Sequence, residues 1–283
     1  MPRTLRHFLD AIKFEHTVFA LPFAYVAMVL AAGGWPGWRV VVWVTLAMAA
    51  ARTLAMSVNR LADRLIDAAN PRTAGRHLPA GLLRPWHMLL AVVVSGVVLA
   101  LAAWMLNPLC FRLAPWAALF LIGYSYTKRF TWTSHWILGF TDGIAAAGGW
   151  IAVRGAFEPP AFVLWFALTV WIAGFDLIYA CQDVDFDRRT HLHSYPARFG
   201  IGAALLCARI CHLLTVAAFV VLGLMTGLGW LYWAGVVVVA GLFVYEHSLV
   251  SPDDLSRLDI AFFNINGYIA VILFAAVLGG RML

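Results

Sequence analysis

Residues 86–106, WHMLLAVVVSGVVLALAAWML, contain no Asp, Glu, Lys or Arg. A helix needs roughly 20 apolar residues to cross the hydrocarbon core of a bilayer, so this stretch predicts a membrane-spanning helix. The whole chain has the same character, because 63% of its 283 residues are hydrophobic and only 12% are charged. Soluble globular proteins have about 25% charged residues. The composition therefore excludes a water-soluble globule.

Eight further apolar stretches accompany this one, and together they predict an all-α, polytopic membrane bundle of about nine transmembrane helices. The strict alternation of polar and apolar residues that marks a membrane β-barrel is absent from the sequence. We expect a single transmembrane domain over residues 1–283, with its first span retained rather than cleaved as a signal peptide. The eight stretches lie near residues 14–34, 39–58, 112–127, 135–153, 160–182, 203–226, 229–249 and 260–280.

The basic residues are distributed unevenly between the two ends of these spans. If nine spans alternate, the N-terminus and the loops after the second, fourth, sixth and eighth spans collect 16 of the 20 Lys and Arg residues. Because Lys and Arg are enriched in cytoplasmic loops, this side is predicted to be cytoplasmic, in a bacterial inner membrane. The bias also explains the net charge of +6 without a nucleic-acid partner.

Two short acidic segments interrupt the apolar chain on the predicted cytoplasmic side. They are residues 59–67, NRLADRLID, and residues 183–187, DVDFD, and they hold five of the 14 Asp and Glu residues. Residues four apart on a helix lie on one face, about 5–6 Å apart. One stripe is therefore predicted to consist of Asn59, Asp63 and Asp67, and a second of Tyr179, Asp183 and Asp187.

The spacing within each stripe favours a divalent cation. Two carboxylates one helical turn apart repel each other where the dielectric is low, and a cation between them relieves that repulsion. Mg²⁺ accepts one or two carboxylates and takes further ligands from water and substrate phosphates. An alternative is that the acids form solvated ion pairs with Arg60, Arg64, Arg188 and Arg189. The metal ligands that we predict are Asn59, Asp63, Asp67, Asp183 and Asp187.

Basic residues near the stripes are suited to a diphosphate, since guanidinium and ammonium groups bind phosphate oxygens. Arg72 and Arg76 lie in a loop that also contains Pro and Gly, and Lys128 follows the fourth span. We predict that Arg64, Arg72, Arg76 and Lys128 bind this group. The loops that carry the motifs are expected to cover about residues 59–84 and 183–200.

These motifs resemble those of the UbiA-type intramembrane prenyltransferases. The first family motif, Asn-Asp-x-x-Asp-x-x-x-Asp, differs here in one position, where Arg60 replaces the commoner Asp on a different helix face from the stripe. The resemblance extends over almost the whole chain. The matching residues are Asn59, Asp63, Asp67, Arg72-Thr73 and Arg76 for the first motif, Tyr179, Asp183 and Asp187 for the second, and Tyr124 and Lys128 for a Tyr-x-x-x-Lys motif.

The resemblance implies a helical bundle around a central cavity and Mg²⁺-dependent transfer of a polyprenyl group from its diphosphate to a lipophilic or aromatic acceptor. It adds Tyr124 to the diphosphate-binding residues, and it gives Asp63, Asp67, Asp183, Asp187 and Lys128 a catalytic role in stabilising the leaving group. Membrane lipids are the other expected partners, and no obligate protein partner is predicted.

Within the family, three stretches resemble the bacterial 4-hydroxybenzoate polyprenyltransferases, some of which belong to the futalosine route to menaquinone. These stretches are residues 13–17, 181–187 and 251–255. This likeness implies that the acceptor is 4-hydroxybenzoate or a dihydroxynaphthoate and that the reaction belongs to ubiquinone or menaquinone biosynthesis.

Two further acids lie within predicted spans, where charged groups are functional candidates. Asp176 lies two turns before Asp183, and Asp142 lies two turns into the fifth span. Either could orient the acceptor or accept its ring proton, or could be buried in a neutral or paired form; Asp176 is included among the catalytic candidates. Glu246-His247, at the end of the eighth span, is expected to be an interfacial pair without a role in the site.

Two other functions are compatible with aspartates on membrane helices. A CDP-alcohol phosphotransferase carries its acids in one run, whereas here they lie in two runs about 120 residues apart. An ion-coupled transporter places its acids near the bilayer midplane, whereas these lie at the span ends. Both alternatives are therefore less favoured than prenyl transfer.

Overall fold

The computed structural model describes residues 3–13 and 17–282, and its architecture is helical. Within these residues, eight helices are long and apolar enough to cross a membrane, and a shorter apolar helix covers Leu21–Ala32. The prediction of an all-α polytopic membrane protein is therefore confirmed, and about nine spans is a fair approximation. Residues 14–16, in the stretch that contributed to the subgroup resemblance, lie outside the described residues.

Twelve α-helices follow one another along the described residues. They are α1 (Arg3–Ala11), α2 (Thr17–Ala32), α3 (Trp38–Ala69), α4 (Pro85–Leu106), α5 (Pro108–Thr127), α6 (Ser134–Arg154), α7 (Pro159–Ala180), α8 (Val184–Arg189), α9 (Tyr195–Phe199), α10 (Ile201–Thr226), α11 (Trp230–Ser248) and α12 (Asn266–Met282), with a 3₁₀ turn at Cys181–Asp183 and a π-helix at Ile260–Ile265.

The chain divides into two compact units. The first comprises Met1–Leu21 and Trp38–Tyr126, and the second comprises Pro22–Gly37 and Thr127–Leu283. The expectation of one transmembrane domain over residues 1–283 stays a prediction.

The first unit is organised by α3, which packs along α4. Leu54 of α3, Leu99 of α4 and Leu121 of α5 belong to one buried cluster, with Tyr124 beside it. The span in α3 was expected to end near residue 58, but the helix continues to Ala69. Leu, Ala and Arg, which are good helix formers, dominate residues 60–66, so the backbone stays helical after the strongly apolar part ends. The first acidic segment is consequently helical rather than part of a loop.

The second unit is built around α7, which packs against α6 and α10. Its interior includes Leu164, Leu168, Trp171 and Leu177, all fully buried. The α6 and α7 backbones approach closely at Gly139, where an added Cβ would collide with the carbonyl oxygen of Thr169. Small residues permit this kind of contact between membrane helices.

The second acidic segment does not lie on one continuous α-helix. Helix α7 ends at Ala180, the 3₁₀ turn occupies Cys181–Asp183, and α8 begins at Val184. A 3₁₀ turn has 3.0 residues per turn instead of 3.6, so it rotates the chain away from ideal four-residue spacing. The prediction of a regular α-helical stripe through Tyr179, Asp183 and Asp187 is therefore wrong in its backbone geometry.

Candidate active site

The predicted stripe of the first motif is present on the last turns of α3. Asp63 and Asp67 are 2% and 5% exposed, and the Asn59 side-chain amide donates a hydrogen bond of 3.1 Å to Asp63 Oδ2. Arg64, which we predicted to bind diphosphate, is exposed beside this buried stripe. The four-residue spacing thus brings three oxygen-bearing side chains to one face.

The two carboxylate oxygens of Asp67 have different surroundings. Oδ1 accepts a hydrogen bond of 2.7 Å from the Arg76 guanidinium. Oδ2 is buried and has no hydrogen-bond partner among the described residues, although Arg60 Nη1 lies 4.0 Å away. A buried oxygen without a hydrogen bond is costly, and a bound cation would satisfy it. This carboxylate therefore fits the role of a metal ligand.

Arg60, at the position where the family motif commonly has Asp, holds α1 against α3. It is buried, and its Nε–H donates a 2.8 Å hydrogen bond to the carbonyl oxygen of Ala11, at the end of α1. Cationic groups stabilise helix C-termini, where carbonyl groups lack partners. Arg60 therefore has a structural function in addition to its position near Asp67.

The arginines beside the second segment do not support the alternative of simple solvated ion pairs there. Arg188 Nε–H donates to the carbonyl oxygen of Ala197 at 2.9 Å, and Arg189 Nε–H donates to that of Asp185 at 3.1 Å. Both guanidinium groups thus bind the backbone at these atoms.

The loop after α3 folds back onto the end of that helix. The Thr73 hydroxyl donates to the Asp67 carbonyl oxygen at 3.0 Å, and the Arg72 backbone N–H donates to Asn70 Oδ1 at 3.0 Å. These bonds position Arg76 against Asp67, while Arg72 stays exposed. Burial, and next the charge of His7, lower the pKa of His77. The loop also carries three arginines, Arg72, Arg76 and Arg84.

In the second unit, Asp187 is the buried acid of the second motif, with 9% exposure. The Ser194 hydroxyl donates a 2.6 Å hydrogen bond to Asp187 Oδ2. Asp183 is half-buried and Asp185 is exposed. Lys128 belongs to the same unit, and its carbonyl oxygen accepts a 2.7 Å hydrogen bond from the His193 backbone N–H.

Asp176, predicted as a catalytic candidate, pairs with His135 of α6. His135 Nδ1 lies 2.6 Å from Asp176 Oδ2, and His135 Nε2 accepts a 3.2 Å hydrogen bond from the Tyr195 backbone N–H. The Asp176 side chain is 24% exposed, whereas that of His135 is almost fully buried. The histidine of the pair is therefore buried, whereas part of the aspartate side chain is exposed.

The structure groups some predicted residues and separates others. Asn59, Asp63, Asp67 and Arg76 meet in the first unit, which also contains Tyr124. Lys128, Asp176, Asp183 and Asp187 belong to the second unit, and Asp142 is half-buried on α6. Across residues 3–13 and 17–282, no three His, Cys, Asp or Glu side chains converge so as to hold a metal by themselves. A bound Mg²⁺ would therefore need Asn, water or substrate oxygens as well, which is usual for this ion.

Sequence reasoning missed His135 and Ser194. Each is a single polar residue near a helix end, where an interfacial location is the default interpretation. Their partners, Asp176 and Asp187, are 41 and 7 residues away in sequence. Adjacent spans run antiparallel, so the start of one span lies beside the end of the next. A polar residue at the first position and an acid at the second were therefore a signal for the His135–Asp176 pair.

The second unit also contains a buried polar network, which includes the Glu246-His247 pair that the sequence analysis assigned to the interface. Glu246 is fully buried and accepts a 3.0 Å hydrogen bond from Asn266, which in turn accepts one of 2.6 Å from Trp171. His212 and His247 face each other at 3.0 Å. The expectation of an interfacial pair at Glu246-His247 is wrong for Glu246, because the Asn266 amide allows its burial within the helix packing.

Comparison with known proteins places these motifs in a family. Residues 20–268 match the model of the UbiA prenyltransferase family. The chain belongs to the UbiA prenyltransferase family. The resemblance carried by the three motifs is thereby confirmed, as is the prediction that the chain is a prenyl-transferring enzyme.

Two bacterial relatives of this UbiA family member illustrate the similarity. A protein of Vibrio cholerae serotype O1 named 4-hydroxybenzoate octaprenyltransferase is 31% identical over 252 residues, which are 89% of this chain and 88% of the relative. A protein of the same name from Aliivibrio fischeri is 29% identical over 251 residues, 89% of this chain and 87% of the relative.

Solved UbiA structures share the fold. The apo structure of a UbiA homolog from Aeropyrum pernix K1 superposes with a TM-score of 0.86 at 30% identity, covering 95% of this chain and 98% of that one. A UbiA homolog from Archaeoglobus fulgidus bound to GPP and Mg²⁺ gives a TM-score of 0.73 at 17% identity, covering 98% of this chain and 100% of that one. The second likeness concerns the fold alone.

Proposed function

We propose that this chain transfers a polyprenyl group from a polyprenyl diphosphate to an aromatic acceptor, 4-hydroxybenzoate or a dihydroxynaphthoate, in a Mg²⁺-dependent reaction of quinone biosynthesis. Family membership and relatives named 4-hydroxybenzoate octaprenyltransferase support the reaction class. The observation that carries the proposal is the buried stripe on α3, in which Asp67 Oδ2 lacks a hydrogen-bond partner among the described residues.

The proposed metal ligands are Asn59, Asp63 and Asp67 in the first unit, and Asp183 and Asp187 in the second. Carboxylate and amide oxygens suit Mg²⁺, which usually binds few protein ligands and completes its shell with water and phosphate oxygens. When bound, Mg²⁺ would supply Lewis-acid stabilisation to the departing diphosphate.

The cationic side chains have a separate part in the proposal. Arg64, Arg72, Arg76 and Lys128 are proposed to bind diphosphate oxygens together with the Tyr124 hydroxyl. Preorganised cations stabilise the charge that develops on those oxygens as the allylic C–O bond breaks. Arg76 binds Asp67 Oδ1 at 2.7 Å. A proposed metal ligand and a proposed diphosphate-binding side chain are therefore in direct contact at the end of α3.

The membrane setting suits this chemistry. A polyprenyl tail partitions into hydrocarbon, and exclusion of water protects an allylic cation from hydrolysis. The apolar helices make the chain a multi-pass membrane protein. We propose that it lies in the bacterial inner membrane, with the motif segments on the cytoplasmic side, because most basic residues fall on that side.

The test is transfer by the purified protein from a labelled polyprenyl diphosphate. Hydroxybenzoates and dihydroxynaphthoates are supplied as a panel of acceptors, with Mg²⁺ or with EDTA. We expect a prenylated product with Mg²⁺ and none with EDTA. Asp185→Asn is the matched control, because Asp185 is exposed and lies between the two proposed ligands Asp183 and Asp187 in sequence.

Three outcomes distinguish the functions. Asp183→Ala should lose transfer while Asp185→Asn retains it. Absence of product with every acceptor, or an equal loss in both variants, contradicts the proposal. Movement of an ion or substrate across sealed vesicles without product would instead favour a transporter.

A further inference from the structure

A chain of hydrogen bonds in the second unit connects a proposed metal ligand to Asp176. Three consecutive residues form its centre. The His193 backbone N–H binds the Lys128 carbonyl oxygen, the Ser194 hydroxyl binds Asp187 Oδ2, and the Tyr195 backbone N–H binds His135 Nε2. His135 in turn binds Asp176. The same short segment therefore positions part of the proposed diphosphate machinery and the His135–Asp176 pair.

The tautomer of His135 follows from these contacts. A backbone N–H can only donate, so the 3.2 Å bond from Tyr195 requires a lone pair on Nε2. The proton of the neutral ring is then on Nδ1, and Nδ1–H donates to Asp176 Oδ2 at 2.6 Å. In a neutral imidazole one nitrogen donates and the other accepts. His135 is thus fixed as a donor toward Asp176.

Helix packing fixes the position of the ring as well. His135 lies one turn before Gly139 on α6, where the backbone of α7 is in close contact. The side chain of His135 is 4% exposed, so it has little freedom to rotate. The Asp176 side chain, by contrast, is about a quarter exposed.

We propose that Asp176 is the acceptor of the proton released during prenyl transfer and that His135 is a positioning residue that orients its carboxylate. This inference rests on the proposed function. His135 binds Oδ2, and we assign the role of proton acceptor to Oδ1. A carboxylate oriented by an imidazole N–H is a suitable general base when its geometry is fixed.

The proposed step is an aromatic substitution. The allylic C–O bond of the polyprenyl diphosphate breaks, and both electrons leave with the diphosphate oxygen. A pair of ring π electrons of the acceptor forms the new C–C bond to the allylic carbon. For 4-hydroxybenzoate, the reacting carbon is ortho to the hydroxyl, because the para carbon carries the carboxylate. That carbon then loses its proton to Asp176 Oδ1, and the C–H electrons restore the aromatic ring.

The choice of variants separates the two contacts of His135. Asparagine places an amide N–H near the position of Nδ1, so His135→Asn retains a donor for Asp176. Glutamine reaches the position of Nε2, so His135→Gln retains a partner for the Tyr195 N–H instead. His135→Leu retains neither contact. Asp176→Asn preserves the shape of the carboxylate but cannot accept a proton, and Asp185→Asn is again the exposed control.

The expected result is a selective loss of turnover. Removal of a general base costs about 100- to 10,000-fold, so we expect kcat of Asp176→Asn to fall at least about 100-fold. The KM for the polyprenyl diphosphate should stay nearly unchanged. We expect His135→Leu and His135→Gln to lower kcat about 10- to 100-fold, as loss of a residue that orients a reactive group does. The kcat of His135→Asn should stay close to that of the wild type.

A second readout reports on the proton itself. An acceptor deuterated at its reacting ring carbons should show a primary isotope effect on kcat in Asp176→Asn and His135→Leu, because proton loss becomes limiting. The wild type should lack this effect. A purely structural role for the pair would lower kcat without an isotope effect, and thermal unfolding in detergent shows whether each variant is folded.

The outcomes keep this inference separate from the proposed function. If the wild type forms a prenylated product and Asp176→Asn retains its kcat, the base is elsewhere and the inference is wrong while the function stands. Equal activity of His135→Asn, His135→Gln and His135→Leu overturns the positioning role. If the wild type forms no product from any acceptor, both proposals fail.

Discussion

The first acidic cluster stands on an unbroken helix, whereas the second stands where a helix is interrupted. Asn59, Asp63 and Asp67 follow each other at regular α-helical spacing on α3. Asp183 ends a 3₁₀ turn, and Asp187 lies on the short helix that follows. Regular spacing in the sequence thus led to regular geometry in one case only. The same four-residue pattern does not guarantee the same placement of its carboxylates.

The two clusters also differ in what holds their buried acid. Asp67 accepts from the Arg76 guanidinium, and Arg60 lies 4.0 Å from its other oxygen. Asp187 accepts from the uncharged Ser194 hydroxyl. A guanidinium offsets the charge of a carboxylate, but a hydroxyl only orients it. We infer that Asp187 depends more on a bound cation than Asp67 does.

The largest effects should come from removing one acid from each cluster. We expect Asp63→Ala and Asp183→Ala each to reduce transfer by about 100- to 1000-fold, as loss of a single group that stabilises a developing charge does. Both proteins should stay inserted and folded, because these carboxylates are proposed ligands rather than packing residues. Product formation with Mg²⁺ is the measurement. Mg²⁺-dependent turnover in both variants at the wild-type rate contradicts the assignment.

A titration with Mg²⁺ tests the inferred difference in charge compensation. We expect Asp187→Asn to raise the Mg²⁺ concentration needed for half-maximal activity by about 10- to 100-fold, and Asp67→Asn to raise it less. The measurement is activity after treatment with EDTA and stepwise return of Mg²⁺. Equal shifts in the two variants would show that the arginines near Asp67 do not alter its dependence on the cation.

The groups that support each acid provide a finer test. Ser194→Ala should lower activity about tenfold, as loss of a group that orients a metal ligand does, and Ser194→Thr should retain the hydroxyl and the activity. Arg76→Ala should in addition lower stability by about 1 to 3 kcal/mol, because Asp67 loses a charged hydrogen bond. Thermal unfolding and activity are measured for all three. A greater loss of stability in Ser194→Ala than in Arg76→Ala contradicts the comparison.

The smallest effect on activity is expected at Arg60. Arg60→Leu removes the hydrogen bond to the Ala11 carbonyl oxygen, so the end of α1 should loosen while α3 remains helical. We expect activity to fall only a few-fold, in line with the modest net worth of one hydrogen bond. Hydrogen exchange of the amides in α1 is the measurement. Unchanged protection of α1 would mean that other contacts hold it.

The positions of the spans were largely predictable from the sequence, because apolar length is a simple requirement of the bilayer. The end of α3 was not predictable from hydropathy, since residues 59–69 are polar enough to leave the hydrocarbon and still favour a helix. The interruption at Cys181–Asp183 has no signal of this kind. None of these three residues is Gly or Pro.

The residues of the candidate site were proposed from the sequence, but their contacts were not. Spacing identified Asp63 and Asp67 because their relation is local to one helix. Arg76 was predicted as a diphosphate ligand, and its bond to Asp67 depends on the fold of the loop through Thr73. The His135–Asp176 pair joins residues on different helices. A single sequence contains periodicity, but it does not contain the side-by-side arrangement of helices that creates such pairs.

The length of α3 has a consequence for substrate choice. Its 32 residues span about 48 Å at 1.5 Å per residue, whereas the hydrocarbon core is about 30 Å thick. Asn59, 21 residues after Trp38, therefore lies about 32 Å along the helix, slightly farther than a hydrocarbon core of about 30 Å. A rigid helix that fixes this depth would set the position of the first isoprene unit independently of how many units follow. Discrimination between short and long isoprenoids then has to arise farther along the tail, among apolar side chains that take no part in the chemistry.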